Sequence, residues 1–451
     1  MENPIANYFS ARVPRYTSYP TAPYFSTEVG AERYASWLES LDASEPVSLY
    51  LHVPFCKRMC WYCGCNMRVV ARYDPIGAYV TALIQEIELV ARIAPRGLTV
   101  RHIHWGGGTP TSLAPGDFLR VDDALRRNFE IAKDAEIAAE LDPRTFTADV
   151  AAALARIGCN RASLGVQEFD ERVQAAINRL QPLPMVEAST DLLRENGITA
   201  LNFDLMYGLP HQTAKTLGTS VAKAVSLRPD RIALFGYAHV PWMAKNQRLI
   251  PEAALPGPWE RFEQSQAAGR SLEDLGYRRI GLDHFAKPND SLAVAAREGR
   301  LRRNFQGYTS DDATTLIAFG ASAISAMPQG YVQNIVETGA YTRAVAEEGR
   351  LPVAKGLALK GEDAMRRAII ERLMCDLEVD LDEIRLRHRP DCFGFPEELA
   401  RLRPLQSEGL VELSGAHVRV TEAGRPALRV ICAVFDTYFG AHSQERHAAA
   451  V

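Results

Sequence analysis

The chain has 451 residues, 47% of them hydrophobic and 24% charged, with a formal net charge of −4 at pH 7. That length exceeds what a single core fills, so a large domain and a smaller one are expected, and the composition excludes long disordered or collagen-like segments. The mild negative charge carries no general footprint of nucleic-acid binding. No stretch reaches the roughly 18 apolar residues of a membrane span, and the start Met1 to Asn7 lacks the basic flank and apolar core of a secretion signal. A cytoplasmic protein is therefore expected, with no membrane span and no nucleic-acid partner; a monomer is expected as well.

In chain order, residues 1–45 read as an N-terminal arm. Short β-rich runs then recur at 48–55, 102–107, 136–141, 161–167, 201–208 and 231–239, most followed by a polar or glycine-bearing turn and an amphipathic stretch such as 78–90. Strands alternating with helices read as βαβ units, hence an α/β fold with a parallel sheet or barrel. The nearly continuous apolar runs suit strands covered on both faces. Their polar exceptions, His104, Glu140, Gln167, Asp204 and His239, fall mostly towards strand ends, where such folds build active sites. Beyond Pro288 the text turns Arg- and Glu-rich and helical in character, and 405–424 reads as a helix, turn and hairpin of winged-helix type. No basic stripe accompanies it, which favours a packing or lid role over DNA binding. The expected division is an arm at 1–45, the α/β sheet or barrel with its extension at 46–340, and a mostly helical, winged-helix-like domain at 341–451.

Directly after the first run stand Cys56, Cys60, Cys63 and Cys65, half of the chain's eight cysteines within ten residues. Crowded thiolates repel and need a positive partner, so a metal, an iron-sulfur cluster or redox pairing is implied, and in a reducing compartment disulfides are the weakest of these. Zinc usually takes four ligands in two separated pairs. Cys65 could serve as a fourth, so spacing alone leaves zinc open, although the three-cysteine spacing of Cys56, Cys60 and Cys63 favours an iron-sulfur cluster with one open iron. A second motif, His104 to Thr111, carries three consecutive glycines after a strand, a place where backbone can approach a ligand closely. It lacks the spacing of a dinucleotide fingerprint. Glu140, Gln167, Asp204 and Arg179 are individually weak, since a polar residue near a strand end is as often a structural hydrogen bonder as a ligand. All four could reach the face that carries the cysteines.

The cysteine loop, with Tyr62 before its third cysteine, resembles the signature of the radical S-adenosylmethionine (SAM) superfamily. Further stretches narrow the resemblance: 14–21, Cys65 with its neighbours 63–66, 165–169, 207–210, 237–241, 283–286, 304–309 and 432–438 look like the oxygen-independent coproporphyrinogen III oxidases (dehydrogenases). That resemblance implies a partial (β/α)6 radical SAM barrel. It implies a 4Fe-4S cluster on Cys56, Cys60 and Cys63, whose open iron is chelated by SAM, and a second SAM beside the first. By position the SAM contacts fall on Tyr50, Tyr62, Gly107, Gly108, Thr109, Glu140, Gln167, Arg179, Asp204, Ala238 and Ile324, while Tyr50, Cys65, Phe305 and Gln306 match residues associated with activity. The implied reaction is oxidative decarboxylation of two propionates of coproporphyrinogen III to vinyl groups through a 5'-deoxyadenosyl radical, with a one-electron donor and a final acceptor that the sequence does not identify.

The nearest rivals are a heme-trafficking relative, which typically lacks the fourth cysteine, and radical methyltransferases or heme-opening enzymes on the same scaffold. A zinc-stabilised winged-helix binding protein is the distant one. His52, His102 and His104 lie on apolar strands, and His52 and His102 are read as core histidines with backbone partners. The run Arg297 to Arg303 reads as a solvated helix face, or else as a holder of substrate carboxylates, for which Arg is the geometric match.

Overall fold

The computed structural model describes residues 4–9, 11–389 and 394–440. Six parallel strands form its centre: β1 (Val47–Val53), β2 (Thr99–Gly107), β3 (Glu130–Leu141), β4 (Arg161–Gln167), β5 (Ala200–Tyr207) and β6 (Arg231–Gly236), hydrogen-bonded in that order. The helices Asp74–Ile93, Pro115–Asn128, Ala148–Arg156, Leu183–Glu195, Ala214–Ser226 and Pro258–Asp274 follow them one by one, giving six β/α units. The expected α/β architecture and all six expected strands are present.

The strands are not uniformly apolar. In β4 and β5, Ala162, Leu164, Val166, Leu201, Phe203 and Leu205 are fully buried against the helices, while the alternate residues Ser163, Gln167, Asn202 and Asp204 are only partly buried and face the lumen. A two-residue period thus divides an apolar outer face from a polar inner one. Towards the strand starts Arg161 bridges Glu136 at 2.9 Å and Asp290 at 3.3 Å, and Arg231 holds Asp290 at 2.5 Å. This buried network closes one end of the lumen, and the cysteine loop occupies the other.

After β6 the structure adds strands that the sequence reading did not contain, two before Pro288 and others in the text beyond it that was read as helical. Strands β7 (Arg278–Ile280) and β8 (His284–Ala286) extend the sheet past β6, and β9 (Arg302–Asn304) and β10 (Gly307–Thr309) make a separate hairpin. Strand β11 (Thr315–Phe319) then pairs in parallel with β1, and β12 (Ile324–Met327), β13 (Gly330–Asn334) and β14 (Val353–Ala358) continue outward in antiparallel order. The sheet therefore has 12 strands and runs past residue 340, so the expected boundary there falls inside it. Thr315–Phe319 is buried throughout, and a five-residue apolar run of that kind carries no period that tells strand from helix.

Beyond β14 come the helix Asp363–Asp376, β15 (Glu378–Asp380), the helices Leu381–His388 and Pro396–Ser407, then β16 (Val411–Ser414), β17 (His417–Val420) and a last helix, Leu428–Ala433. The small sheet β15–β17–β16 with its helices is the expected winged-helix-like domain. Its core is shared: Ile5, Phe9, Val13, Tyr16 and Tyr19 of the arm are buried among Ile369, Leu373, Leu428 and Phe435. Farther along, Ser26 and Gly356 exchange backbone hydrogen bonds, each 2.8 Å, which fastens the arm to the outer strand β14. Gly356 is required there, because a Cβ would stand 2.3 Å from the Tyr331 carbonyl oxygen. Among the described residues no helix is long and apolar enough to cross a membrane.

Candidate active site

Strand β1 ends at Val53, and Phe55–Cys56 pairs with Arg68–Val69, which closes residues 56–68 into a loop at the carboxyl end of the barrel. Cys56 Sγ lies 3.3 Å from the Thr109 hydroxyl. Cys60 Sγ accepts from Arg144 Nη2 at 3.1 Å and from Arg179 Nη1 at 3.3 Å. Cys63 Sγ accepts the Cys65 backbone N–H at 3.4 Å. Cys56 and Cys60 are buried, Cys63 is partly buried and Cys65 is exposed. Burial pushes the Cys56 thiol up to about 11, whereas hydrogen bonds from Cys65, its thiol first and then its backbone N–H, draw Cys63 below its ordinary value.

Both guanidiniums over Cys60 are anchored on Asp142, Arg144 at 2.6 Å and Arg179 at 3.4 Å. Burial opposes ionisation of Asp142, but the two arginines outweigh it and hold the carboxyl below its ordinary range. Sequence reasoning singled out Arg179 and missed Arg144 and Asp142, although both lie in the stretch that follows Glu140. It also missed Asn246 and Gln247. Asn246 Nδ2 donates to the carbonyls of Cys60, Trp61 and Cys63 at 3.2, 3.1 and 2.8 Å, and Gln247 Nε2 donates to those of Tyr62 and Ala238 at 2.8 and 3.1 Å. These amides sit in the loop after β6, and no periodicity or spacing marks them.

Beside the loop lies a second group. Tyr50 stacks on His104 with ring centroids 5.9 Å apart, and its hydroxyl is 3.0 Å from His52 Nδ1. His104 Nε2 is 3.1 Å from Glu140 Oε1, and the Gly107 N–H donates to Glu140 Oε2 at 3.3 Å. Burial first, then the charges of Glu140 and Cys65, raise the Tyr50 hydroxyl well above its ordinary value. His52 has the expected backbone partner, Asn66 O at 3.3 Å, but also joins Tyr50 to Ser322. His102 departs from expectation, facing Asp311 at 3.7 Å. The glycines make their close approach to the protein itself: Gly108 N–H donates to Val53 O at 2.9 Å, and at Gly107, with φ +119°, a Cβ would stand 2.9 Å from the same oxygen.

Deeper in the lumen, Asp204 accepts from Asn202 Nδ2 at 2.9 Å and from the Ser163 hydroxyl at 3.2 Å. Burial and the nearby Glu140 charge raise it to about 6. Gln167 takes a left-handed conformation, φ +67°, where β4 turns away from the sheet. On the far flank Ala238, Phe305 and Gln306 line a cavity of about 480 Å³. Ile324 packs with Phe305 in an apolar cluster against Tyr331, outside that cavity's lining. The run Arg297 to Arg303 is not a solvated helix face: its helix ends at Arg297, and Arg302 and Arg303 belong to β9.

Among the described residues no three Cys, His, Asp or Glu side chains converge on a single-ion site. Three thiols on one loop, with two guanidiniums, a hydroxyl and a backbone N–H beside their sulfurs, are a donor set that fits a thiolate-held iron-sulfur cluster. The fold and loop together define the class: residues 50–224 match the radical SAM superfamily model, a class that implies a 4Fe-4S cluster and SAM. Residues 359–427 match the HemN C-terminal domain. An oxygen-independent coproporphyrinogen III oxidase from Bradyrhizobium diazoefficiens is 50% identical over 432 residues, 96% of each chain. One from Escherichia coli K12 is 42% identical over 94% of this chain and 93% of its own. The solved structure of the Escherichia coli coproporphyrinogen III oxidase HemN, described as a radical SAM enzyme, superposes with a TM-score of 0.89 at 41% identity, covering 94% of this chain and 97% of that one. The chain belongs to the oxygen-independent coproporphyrinogen III oxidase family.

Proposed function

We propose that this protein converts coproporphyrinogen III to protoporphyrinogen IX without oxygen, releasing two propionate carboxyls as carbon dioxide and leaving two vinyl groups. The observation that carries this reading is the near full-length identity to enzymes of that name. The three-plus-one cysteine arrangement supports it. Cys56, Cys60 and Cys63 are the proposed cluster ligands; two SAM molecules are proposed, one at the cluster and one beside Tyr50 and Cys65. When bound, cluster and SAM supply the hydrogen-abstracting power that an unactivated C–H bond demands.

The chain's own part is placement, charge and exclusion of water. Arg144 and Arg179 on Cys60 offset thiolate charge and keep that ligand's orientation. Asn246 and Gln247 fix the loop's carbonyls and so hold the backbone that carries the three cysteines. Glu140, Gln167, Arg179 and Asp204 supply the polar wall for ribose and methionine groups. Gly107, Gly108 and Thr109 bring backbone to the amino end, with Tyr62, Ala238 and Ile324 as flanking contacts. Tyr50, bonded to His52, is placed to hold or pass a proton beside Cys65, and Phe305 and Gln306 face the substrate side. A one-electron donor and a separate electron acceptor complete the balance.

The test is anaerobic. Reconstituted protein is given reductant, SAM and coproporphyrinogen III, and protoporphyrinogen and 5'-deoxyadenosine are measured together. Their joint formation is expected; a methylated or ring-opened tetrapyrrole in their place would sink the reading.

A further inference from the structure

The cavity beside Ala238, Phe305 and Gln306 is walled by all three parts of the chain. Six arginines line it: Arg15 from the arm, Arg261 from the helix Pro258–Asp274, Arg279 from β7, Arg303 from β9, and Arg425 and Arg429 from the C-terminal domain. Asp283 is the one carboxylate in the described lining, and it already faces His284 Nδ1 at 2.8 Å. Arg425 pairs with Glu422 and donates to Gly281 O at 2.6 Å.

Arg15, Arg261, Arg279 and Arg303 are different. Among the described residues no carboxylate stands within ion-pair distance of any of them, although their neighbours Arg231 and Arg302 are both paired. Nε of Arg261, Arg279 and Arg303, and Nη1 of Arg303, are buried without a hydrogen-bond partner. Aromatic faces hold these guanidiniums instead, Tyr207 5.9 Å from Arg261, Phe285 5.3 Å from Arg279 and Tyr308 4.4 Å from Arg303. The cations also feel one another: burial and then Arg15 lower Arg429 to about 10, and burial and then Arg425 lower Arg279. Buried, unpaired donors cost folding free energy. A set of them kept around an apolar-walled cavity suits an anionic ligand that enters there.

Their number matters. Four cationic side chains, from the arm, the helix Pro258–Asp274, β7 and β9, offer more donors than one carboxylate can use, which suits several carboxylates carried on one ligand. Resting on the functional reading above, we propose that Arg15, Arg261, Arg279 and Arg303 grip the propionate carboxylates of the tetrapyrrole substrate, which Tyr207 and Phe285 flank along its apolar body. The site thus reads the substrate's four-fold negative charge, and the arm and C-terminal domain act in substrate binding.

Two probes test this. Coproporphyrin III, the oxidised macrocycle, is titrated into the reconstituted protein and followed by fluorescence, alongside its tetramethyl ester, which keeps the ring and removes the charges. The free acid is expected to bind about tenfold or more tightly than the ester, and Arg261→Gln, Arg279→Gln and Arg303→Gln each to weaken the acid by about tenfold, the effect of losing one charge-assisted pair. Cluster absorbance and SAM binding should match the parent, and the variants should show a raised KM for coproporphyrinogen III with little change in kcat. Equal binding of acid and ester by the unsubstituted protein overturns the proposal even if a variant fails to fold. So does an unchanged KM in all three variants. Failure of the unsubstituted protein to form protoporphyrinogen, with acid still preferred over ester, instead counts against the assigned reaction and leaves the arginine site standing.

Discussion

Cys60 and Cys65 are five residues apart and meet opposite surroundings. Cys60 is buried under two guanidiniums, while Cys65 is exposed beside Glu140 and Tyr50. Replacing Cys60 with serine removes the sulfur to which Arg144 and Arg179 both donate, so Cys60→Ser is expected to lose the brown cluster absorbance after reconstitution. Cys65→Ser is expected to keep it while losing most turnover; a cluster lost in Cys65→Ser would make that cysteine a ligand. Asp204 permits a pH prediction with a definite sign. Its folded value is raised from 3.8 to about 6, so the folded chain holds that proton more tightly than the unfolded chain. Stability from this group is present below about 4 and falls as pH rises towards 6, by up to about 3 kcal/mol. Asp204→Asn should flatten that part of the profile, leaving the variant more stable than the parent at pH 7 by chemical denaturation. Parallel profiles for the two would show that Asp204 ionises at its ordinary value.

At the scale of elements, what was legible follows from periodicity. The six barrel strands and the glycine loop are runs long enough, with turn residues at their ends, to be read one by one. Strands β7 to β14 were missed because they are short and because β9 carries Arg302, which pairs with Glu371, and Arg303, which lines the cavity, rather than core residues. Local spacing placed the cysteines, but Arg144, Asn246 and Gln247 reach the loop from 84 to 186 positions away, and such meetings are set by the sheet order alone. The join between the first helix of the barrel and the sheet was equally invisible. Glu86 of that helix, 2% exposed, accepts from Gly320 N–H at 2.7 Å, Tyr341 Oη at 2.6 Å and Asn334 Nδ2 at 2.6 Å. Burial raises its carboxyl to about 7 against those three donors. Glu86→Ala would strand the Gly320 N–H and the Tyr341 hydroxyl in the core, at a cost of about 3 kcal/mol, with a lowered melting temperature as the readout. No change in melting would mean that water replaces the carboxylate.

For the whole molecule, the arm is the piece that joins the two larger bodies. Ile5, Phe9 and Val13 fill the core of the C-terminal domain, and burying each stabilises that contact by roughly 1.5–3 kcal/mol. Tyr16 donates to Asp436 at 3.1 Å, Tyr19 lies 3.0 Å from the Thr437 hydroxyl, and the Tyr331 hydroxyl of β13 donates to Tyr19 O at 3.1 Å. The same segment brings Arg15 and Thr17 to the cavity wall. Stability of the C-terminal domain and completion of the cavity therefore depend on one stretch of chain, whereas the cysteine loop is braced by Arg144, Arg179, Asn246 and Gln247 from within the barrel. A chain lacking residues 1–21 should separate the two. Limited proteolysis is expected to cut it between residues 359 and 440, at sites protected in the full chain, and coproporphyrin III binding should fall by about tenfold or more, as loss of a charge-assisted pair requires. Cluster reconstitution and SAM binding should survive, because none of the loop's braces is removed. If the truncated chain instead loses its cluster along with porphyrin binding, the arm supports the barrel as a whole and the cysteine loop does not stand independently of it.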